Sequence, residues 1–99
     1  MTYQQPHISG VYSITCRVNN KRYIGQSKNL FSRWNDHLTL LHAGKHHSRS
    51  LQSDFEHYGY GEFSFSILEI CNCKYLRDRE DYYIGRAKLD GQFLYNSDR

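Results

Sequence analysis

Long apolar runs are missing from this sequence of 99 residues. None approaches the roughly 20 residues that a membrane-spanning helix needs. Residues 1–7 contain neither the basic nor the apolar region of a secretion signal. We therefore expect a cytoplasmic protein with no membrane partner. Internal repeats, low-complexity tracts and Pro/Gly-rich linkers are also missing, so we expect a tail over residues 1–8 and one domain over residues 9–99.

Cysteine is scarce, with Cys16, Cys71 and Cys73 as the three examples. An odd number of cysteines without a secretion signal predicts reduced thiols. Cys71 and Cys73, supplemented by the histidines at positions 42, 46 and 47, suggest a zinc site, but their spacing matches no common zinc pattern. We favour a loop with two unligated thiols and keep a small zinc-binding interaction domain as an alternative.

Acidic residues are rare in the first half of the chain. Residues 1–52 contain seven Lys/Arg and one acid, together with five of the six histidines, whereas residues 53–99 contain six Lys/Arg and nine acids. This asymmetry favours an anionic partner on the basic half, with nucleic acid as the first hypothesis. A solvated basic surface is the alternative, and charge alone does not separate the two.

Two strand-like segments, residues 10–17 and 22–26, flank a polar turn and predict a β-hairpin. A two-residue or a four-residue loop places Tyr12 and Tyr23 on the same face of the hairpin, and the four-residue loop pairs Tyr23 with Ile14. A three-residue loop would place the two phenols on opposite faces, because a shift of one residue turns every side chain over.

Three helices and two further extended segments follow the hairpin. Asn29 is the predicted N-cap of a helix over residues 30–43 that Gly44 ends, and Ser48 or Ser50 begins a second helix that runs to residue 58. Residues 63–70 alternate as a strand does, and their apolar content suggests the centre or the core side of a small sheet. A third helix is predicted over residues 75–89, and a short extended segment over residues 93–96.

Glu80 interrupts the apolar stripe of the third predicted helix. An acid on such a face is rare unless it is paired or functional. It is either a structural acid, satisfied by Arg77, Arg79 or a tyrosine, or a carboxylate that projects into a functional site. Periodicity alone favours the structural interpretation.

The hairpin carries Gly10-Val11-Tyr12 and Tyr23-Ile24-Gly25, with the two tyrosines eleven positions apart. This pattern resembles the signature of the GIY-YIG nuclease family, with Val11 in place of isoleucine. The resemblance extends over residues 9–97 and is greatest to the nuclease domains of phage intron homing endonucleases. Further matching segments are residues 32–37, an Arg-Trp-x-x-His helix, residues 44–46 and 50–52, the Arg79-Glu80 pair, and the closing Tyr95-Asn96.

The resemblance implies an α+β fold, with a small three-stranded antiparallel β-sheet flanked by α-helices. It implies a DNA endonuclease that hydrolyses phosphodiester bonds with Mg²⁺, for which Mn²⁺ can substitute. In this family pattern Glu80 is the metal ligand, Arg33 the phosphate clamp and Tyr12 the general base. Tyr23 and His37 hydrogen-bond the attacking water or the phosphate and pass on the proton.

Supporting roles follow from the same resemblance. His46 is expected near the site, where it contacts DNA, and Asn96 is expected to hold the hairpin or Glu80 by hydrogen bonds. Gly25 should allow a close backbone approach, so a side chain there should be costly. Generic phosphate contacts are predicted for Lys21, Arg22, Lys28, Lys45 and Arg49.

The main alternative is a non-catalytic nucleic-acid-binding module of the same fold, against which the intact set of five site residues argues. We expect DNA as the partner, in duplex form, but single-stranded or branched DNA stays open, as do homing, restriction and repair roles. One active site per monomer means that cutting both strands requires a dimer on DNA or two successive visits. The chain is either the catalytic domain of a longer protein or a free-standing nuclease.

Overall fold

Six helices and strands, in the order ββααβα, dominate the part of the chain that a computed structural model describes, residues 7–97. They are β1 (Gly10–Cys16), β2 (Arg22–Ser27), α1 (Leu30–Ala43), α2 (Arg49–Tyr58), β3 (Phe63–Ile70) and α3 (Leu76–Leu89). Short 3₁₀ turns cover Tyr60–Glu62, Cys73–Tyr75 and Tyr95–Ser97. The three strands form one antiparallel sheet, so the predicted α+β class and sheet are confirmed.

The sheet has the order β2-β1-β3, with the first strand in the middle. Tyr23 lies opposite Ile14 and Gly25 lies opposite Tyr12, which is the register of the four-residue hairpin loop. Asn20 takes a left-handed conformation in that loop, with φ of 61°, as asparagine tolerates. The prediction that Tyr12 and Tyr23 share a face is confirmed.

β3 lies at an edge of the sheet, so the predicted central position is wrong. Its core-side alternative holds at its first residues, because Phe63 is buried and Phe65 packs against the core. Further along, Ile67 and Ile70 are 39% and 65% exposed. The apolar content of a strand indicates how much of its surface is buried. It does not distinguish the central strand of a three-stranded sheet from an edge strand.

The helix ends follow the capping residues closely. The Asn29 side chain accepts from the backbone N–H of Ser32, and Gly44 ends α1 with φ of 73°, a left-handed conformation that suits glycine. Ser48, and not Ser50, caps α2. α3 begins one residue later than predicted, because residues 73–75 form a 3₁₀ turn.

The sheet is packed between α1 and α2 on one face and α3 on the other. On the first face the buried core consists of Tyr12, Ile14, Cys16, Leu30, Leu41, Leu51, Phe55, Phe63 and Tyr95. On the second face Val11 and Ile24 pack against Ala87 of α3. The first face therefore holds both hairpin tyrosines against α1 and the loop that follows it, which is where the candidate site forms.

The terminal segments are only partly as predicted. Ile8 packs against the core and its carbonyl accepts from the N–H of Leu30, whereas residues 1–6 of the predicted tail lie outside the described residues. At the other end Leu94 alone makes a strand-like bridge, to Arg22, and the 3₁₀ turn replaces the predicted extended segment. Within the described part of the chain, no helix combines the length and the apolar character needed to cross a membrane.

Candidate active site

The Tyr12 hydroxyl and the His37 imidazole meet in the middle of the candidate site. Their Oη and Nε2 atoms are 2.6 Å apart, and the two side chains are 1% and 0% exposed. His37 is buried because it follows Leu30 by seven residues and precedes Leu41 by four, so all three share one side of α1. The structure therefore places His37 within the buried face of α1.

A second histidine, His46, is hydrogen-bonded to the other side of the His37 ring. His46 Nε2 lies 2.7 Å from His37 Nδ1, and His46 Nδ1 accepts from the backbone N–H of Ser48 at 3.0 Å. Burial, reinforced by the neighbouring cations and imidazoles, lowers the pKa of His37 to about 3 and that of His46 to about 4. Both rings are therefore neutral at neutral pH.

The Ser48 amide determines which nitrogen of each neutral ring carries the proton. An amide N–H only donates, so His46 Nδ1 is bare and its proton resides on Nε2. His46 Nε2 therefore donates to His37 Nδ1, and His37 Nε2 donates to the Tyr12 oxygen. We call Tyr12, His37, His46 and the Ser48 amide the buried network.

The Tyr12 oxygen thus accepts a hydrogen bond and does not have to donate one to the histidines. The positive charge of the nearby Arg33 guanidinium favours the ionised form of this oxygen and so acts to lower the pKa of Tyr12. Burial opposes this and, together with the nearby Tyr23 and Glu80, raises the pKa of Tyr12 well above the ordinary value of 10.0. In the protein alone Tyr12 is a phenol, held where added positive charge would favour the phenolate.

Gly25, the last residue of the second hairpin motif, makes room for the Tyr12 ring. The two residues face each other across the strands, and a Cβ built on Gly25 would lie 2.5 Å from Tyr12 Cζ. The ring cannot move aside easily, since it stacks on Phe65 and its hydroxyl is bonded to His37. The predicted close approach therefore exists, and what approaches is the phenol rather than backbone.

Tyr23 joins the cluster from the neighbouring strand. Its ring meets His37 edge-on, with centroids 5.2 Å apart, and its hydroxyl lies 3.0 Å from Nε2 of the exposed His47. Sequence reasoning considered His47 only as a supplementary ligand of the alternative zinc site and did not predict its contact with Tyr23. Tyr12 and Tyr23 therefore have different histidine partners, one buried and one at the surface.

Gln52 is a further residue that the sequence did not single out. It is 8% exposed, its Oε1 accepts from the His46 N–H, and its Nε2 donates to the Leu41 carbonyl. It ties the loop carrying His46 to the end of α1. Asn96 holds the hairpin in a comparable way, since its amide accepts from the Ile24 N–H at 2.8 Å and donates to the Ile24 carbonyl at 2.7 Å.

Glu80 is half-buried on α3, and its negative charge raises the pKa of Tyr12. Arg79, one of the structural partners considered for Glu80 beside Arg77 and a tyrosine, forms an ion pair with Glu69 at 2.7 Å. One carboxylate suits Mg²⁺, which keeps several waters and takes phosphate oxygens from the substrate. Between residues 7 and 97 no three His, Cys, Asp or Glu side chains are grouped as metal ligands, so the zinc alternative has no support there.

The five generic cations are not gathered at one place. Lys45 and Arg49 are exposed on either side of the loop at residues 46–48, and Lys28 is exposed just before α1. Lys21 lies over the Tyr95 ring, 5.6 Å from its centroid, and Arg22 donates to Gln92. Lys45 and Arg49 therefore flank the loop that carries His46 and Ser48 of the buried network.

The buried network makes a prediction about acid stability. Because folding lowers the pKa values of His37 and His46, the unfolded chain binds more protons below pH 6.5. The free energy of unfolding should be nearly constant above that pH and should fall as the pH drops. At pH 5 it should be lower by about 2 kcal/mol per buried histidine. Urea unfolding near pH 7.5 and pH 5 measures this. His42→Gln, which replaces an exposed histidine outside the buried network, is the control variant in the same measurement. Equal free energies at the two pH values would contradict the neutral, buried rings.

Comparison with known proteins gives one consistent result. A family model described as the GIY-YIG catalytic domain matches residues 8–96. The chain is 38% identical over 94 residues to "Probable intron-encoded endonuclease 1" of Neurospora crassa, covering 88% of this chain and 29% of that protein. It is 39% identical over 89 residues to "Intron-associated endonuclease 1" of Enterobacteria phage T4, covering 84% of this chain and 35% of that protein. The chain thus spans about a third of each relative.

Two solved structures are similar over nearly the whole chain. The catalytic domain of intron endonuclease I-TevI, in a point-mutant form, superimposes with a TM-score of 0.79 at 31% identity, covering 93% of this chain and 96% of that chain. A second structure of the catalytic domain of homing endonuclease I-TevI gives a TM-score of 0.74 at 32% identity, covering 87% and 96%. The family resemblance that the hairpin motifs predicted is confirmed.

Proposed function

Because this chain belongs to the GIY-YIG family of endonucleases, we propose that it hydrolyses phosphodiester bonds of duplex DNA with Mg²⁺ held at Glu80. The observation that carries the proposal is the Tyr12 hydroxyl, which accepts from His37 and lies beside Arg33 within reach of the Glu80 charge. These groups include a base, a cation and a carboxylate, the three kinds of group that phosphodiester hydrolysis needs at one place.

Arg33 binds the scissile phosphate in this proposal. Its guanidinium stays charged at every relevant pH and can donate two parallel hydrogen bonds to phosphate oxygens. The residue is half-buried, and its charge already lowers the pKa values of Tyr12, His37 and His46. A phosphate docked on Arg33 would therefore lie next to the Tyr12 oxygen.

Tyr12 takes a proton from the attacking water. His37 orients the phenol by donating from Nε2 to its oxygen. Because burial makes the phenolate unfavourable, positive charge at the site has to offset part of this cost. Arg33 contributes to that charge, and Tyr23 hydrogen-bonds the water or the phosphate from the neighbouring strand.

When bound at Glu80, a divalent ion would supply the remaining charge neutralisation on the phosphate and on the leaving oxygen. Glu80 is the protein ligand, and Mn²⁺ is expected to substitute because it accepts the same oxygen ligands. Lys45 and Arg49 flank the site and are suited to contact neighbouring phosphates of the DNA. Since a monomer offers one such site, cutting both strands requires a dimer on DNA or two visits.

Cleavage of supercoiled plasmid tests the proposed function and its need for metal. We expect nicking with Mg²⁺, activity with Mn²⁺, and none when EDTA removes the ion, because the cationic side chains of the protein leave the phosphate charge incompletely neutralised. Gel electrophoresis of the plasmid forms over time measures the rate. If Mg²⁺ supports no cleavage of plasmid, single-stranded or branched DNA, the chain acts as a non-catalytic binding module and the proposal is wrong.

A further inference from the structure

We infer that His47 is a positioning residue for Tyr23 that exchanges protons between its hydroxyl and solvent during DNA cleavage. The inference rests on the proposed function and deepens it. Its basis is the pairing of Tyr23 Oη with His47 Nε2 at 3.0 Å, at the exposed border of the site. The other tyrosine of the site, Tyr12, is buried.

The buried network cannot release a proton to water by itself. Its innermost atom, His46 Nδ1, faces the Ser48 N–H, which donates and cannot accept. Passing a proton along the network would protonate a ring that burial keeps neutral. The network therefore fixes the Tyr12 oxygen in place, and a proton collected at the site has to leave by another route.

His47 provides an exit of the required kind. Its ring is exposed, yet it is held in place by stacking on His46, with centroids 4.4 Å apart and an interplanar angle of 24°. Its hydrogen bond joins the Tyr23 hydroxyl to an imidazole at the surface. An imidazole is the side chain best able to gain and lose a proton near neutral pH.

The charged and titratable groups around His47 come from three sides. Tyr23 faces it from β2, the neutral rings of His37 and His46 lie 6.4 Å and 4.4 Å from it, and Arg33 acts on both of those rings. A proton on His47 lowers the pKa values of His37 and His46. Charging His47 thus reinforces the neutral state of the buried network while it adds a cation at the border of the site.

The proton movements at Tyr23 and His47 form a closed cycle. Tyr12, which has gained a proton from the attacking water, gives one up to the Tyr23 oxygen, while the Tyr23 O–H proton passes to His47 Nε2. The resulting imidazolium of His47 gives one proton to solvent, and exchange with water restores the starting tautomer. The net result is one proton carried from the site to solvent, with Tyr23 and His47 unchanged.

Chemical rescue separates this role from a structural one. We expect His47→Ala to lower the single-turnover nicking rate with Mg²⁺ about 10- to 100-fold and to alter the acidic limb of its pH profile. Imidazole added to the buffer should restore much of that rate. His42→Ala, which removes an exposed histidine at the end of α1, should nick DNA at the wild-type rate. Added imidazole should not change that rate. His47→Gln should stay slow, because an amide can hold the Tyr23 hydroxyl but cannot exchange its proton.

Three results would overturn the inference: a wild-type rate in His47→Ala, a slow His47→Ala that imidazole does not rescue, or full activity of His47→Gln at all pH values. Wild-type nicking in the same assay separates such results from failure of the proposed function. If the wild type does not cleave DNA, nitrogen NMR of the histidine rings still tests the pairing. Tyr23→Phe should then change the His47 ring shifts, and unchanged shifts would contradict the inference.

Discussion

Replacing Glu80 with alanine is expected to reduce Mg²⁺-dependent nicking by about 10³-fold or more, because no other acid is proposed to hold the ion. Losing several kcal/mol of charge stabilisation in the transition state corresponds to a loss of that order. The fold should be retained, since Glu80 is half-buried and the ion pair of α3 with the sheet joins Arg79 to Glu69.

The sign of the Glu80 effect distinguishes two roles of the carboxylate. The Glu80 charge raises the pKa of Tyr12, so its removal alone would favour the phenolate and would make the base easier to ionise. If electrostatic contact with Tyr12 were its only role, Glu80→Ala would cleave faster than the wild type. A large loss therefore indicates metal binding, and it should outweigh the gain at Tyr12.

Asp81 gives the matched control for this experiment. It is an exposed acid next to Glu80 on the same helix, so Asp81→Ala removes the same charge from α3 without removing the proposed ligand. We expect Asp81→Ala to nick plasmid at close to the wild-type rate. Circular dichroism and thermal unfolding verify the fold of both variants. Full activity in a folded Glu80→Ala, or equal losses in both variants, would contradict the metal role.

Local signals were sufficient for most element boundaries. Asn29 and Gly44 enclose α1, and a serine cap begins α2, because a capping side chain or a left-handed glycine acts on backbone groups within one turn. The shared face of Tyr12 and Tyr23 was likewise predictable, since it depends only on the parity of the loop. These features need no knowledge of distant residues.

The environment of His37 was not predictable in the same way. A buried imidazole is tolerated because Tyr12, a residue of the central strand, and His46, in a loop nine residues later, satisfy its two nitrogens. No periodicity in α1 indicates those partners. The edge position of β3 was missed for a related reason, because strand order depends on which partner β1 takes on each side.

For Glu80 the family motif supplied a functional hypothesis that helix periodicity did not supply. Periodicity favoured a structural acid satisfied by Arg77, Arg79 or a tyrosine, and in the structure Arg79 pairs with Glu69 of β3. Which arginine satisfies which acid depends on tertiary packing, and sequence spacing does not reveal it. The family pattern carried the functional hypothesis for Glu80, while the supporting residues Gln52 and His47 came only from the structure.

Replacing Arg33 with alanine is the second substitution with a large expected effect, a loss of about 10²- to 10³-fold in nicking rate. The substitution removes the proposed phosphate ligand and the cation that lowers the pKa of Tyr12. Both consequences act in the same direction, in contrast to Glu80→Ala. Arg33→Lys should lie between the wild type and Arg33→Ala, because an ammonium keeps the charge but lacks the planar pair of donors. Single-turnover nicking rates at saturating Mg²⁺ measure the three proteins.

Arg49 allows the local effect of Arg33 to be separated from general attraction to DNA. It is exposed at the start of α2, so Arg49→Ala should weaken DNA binding and its salt dependence while changing the rate at saturating protein little. Arg33→Ala should show the reverse pattern, because a clamp on the scissile phosphate acts on the transition state more than on overall affinity. If the two variants lost activity equally and high protein concentration restored both, Arg33 would be one of the generic phosphate contacts, and Tyr12 would need another cation to offset the cost of its burial.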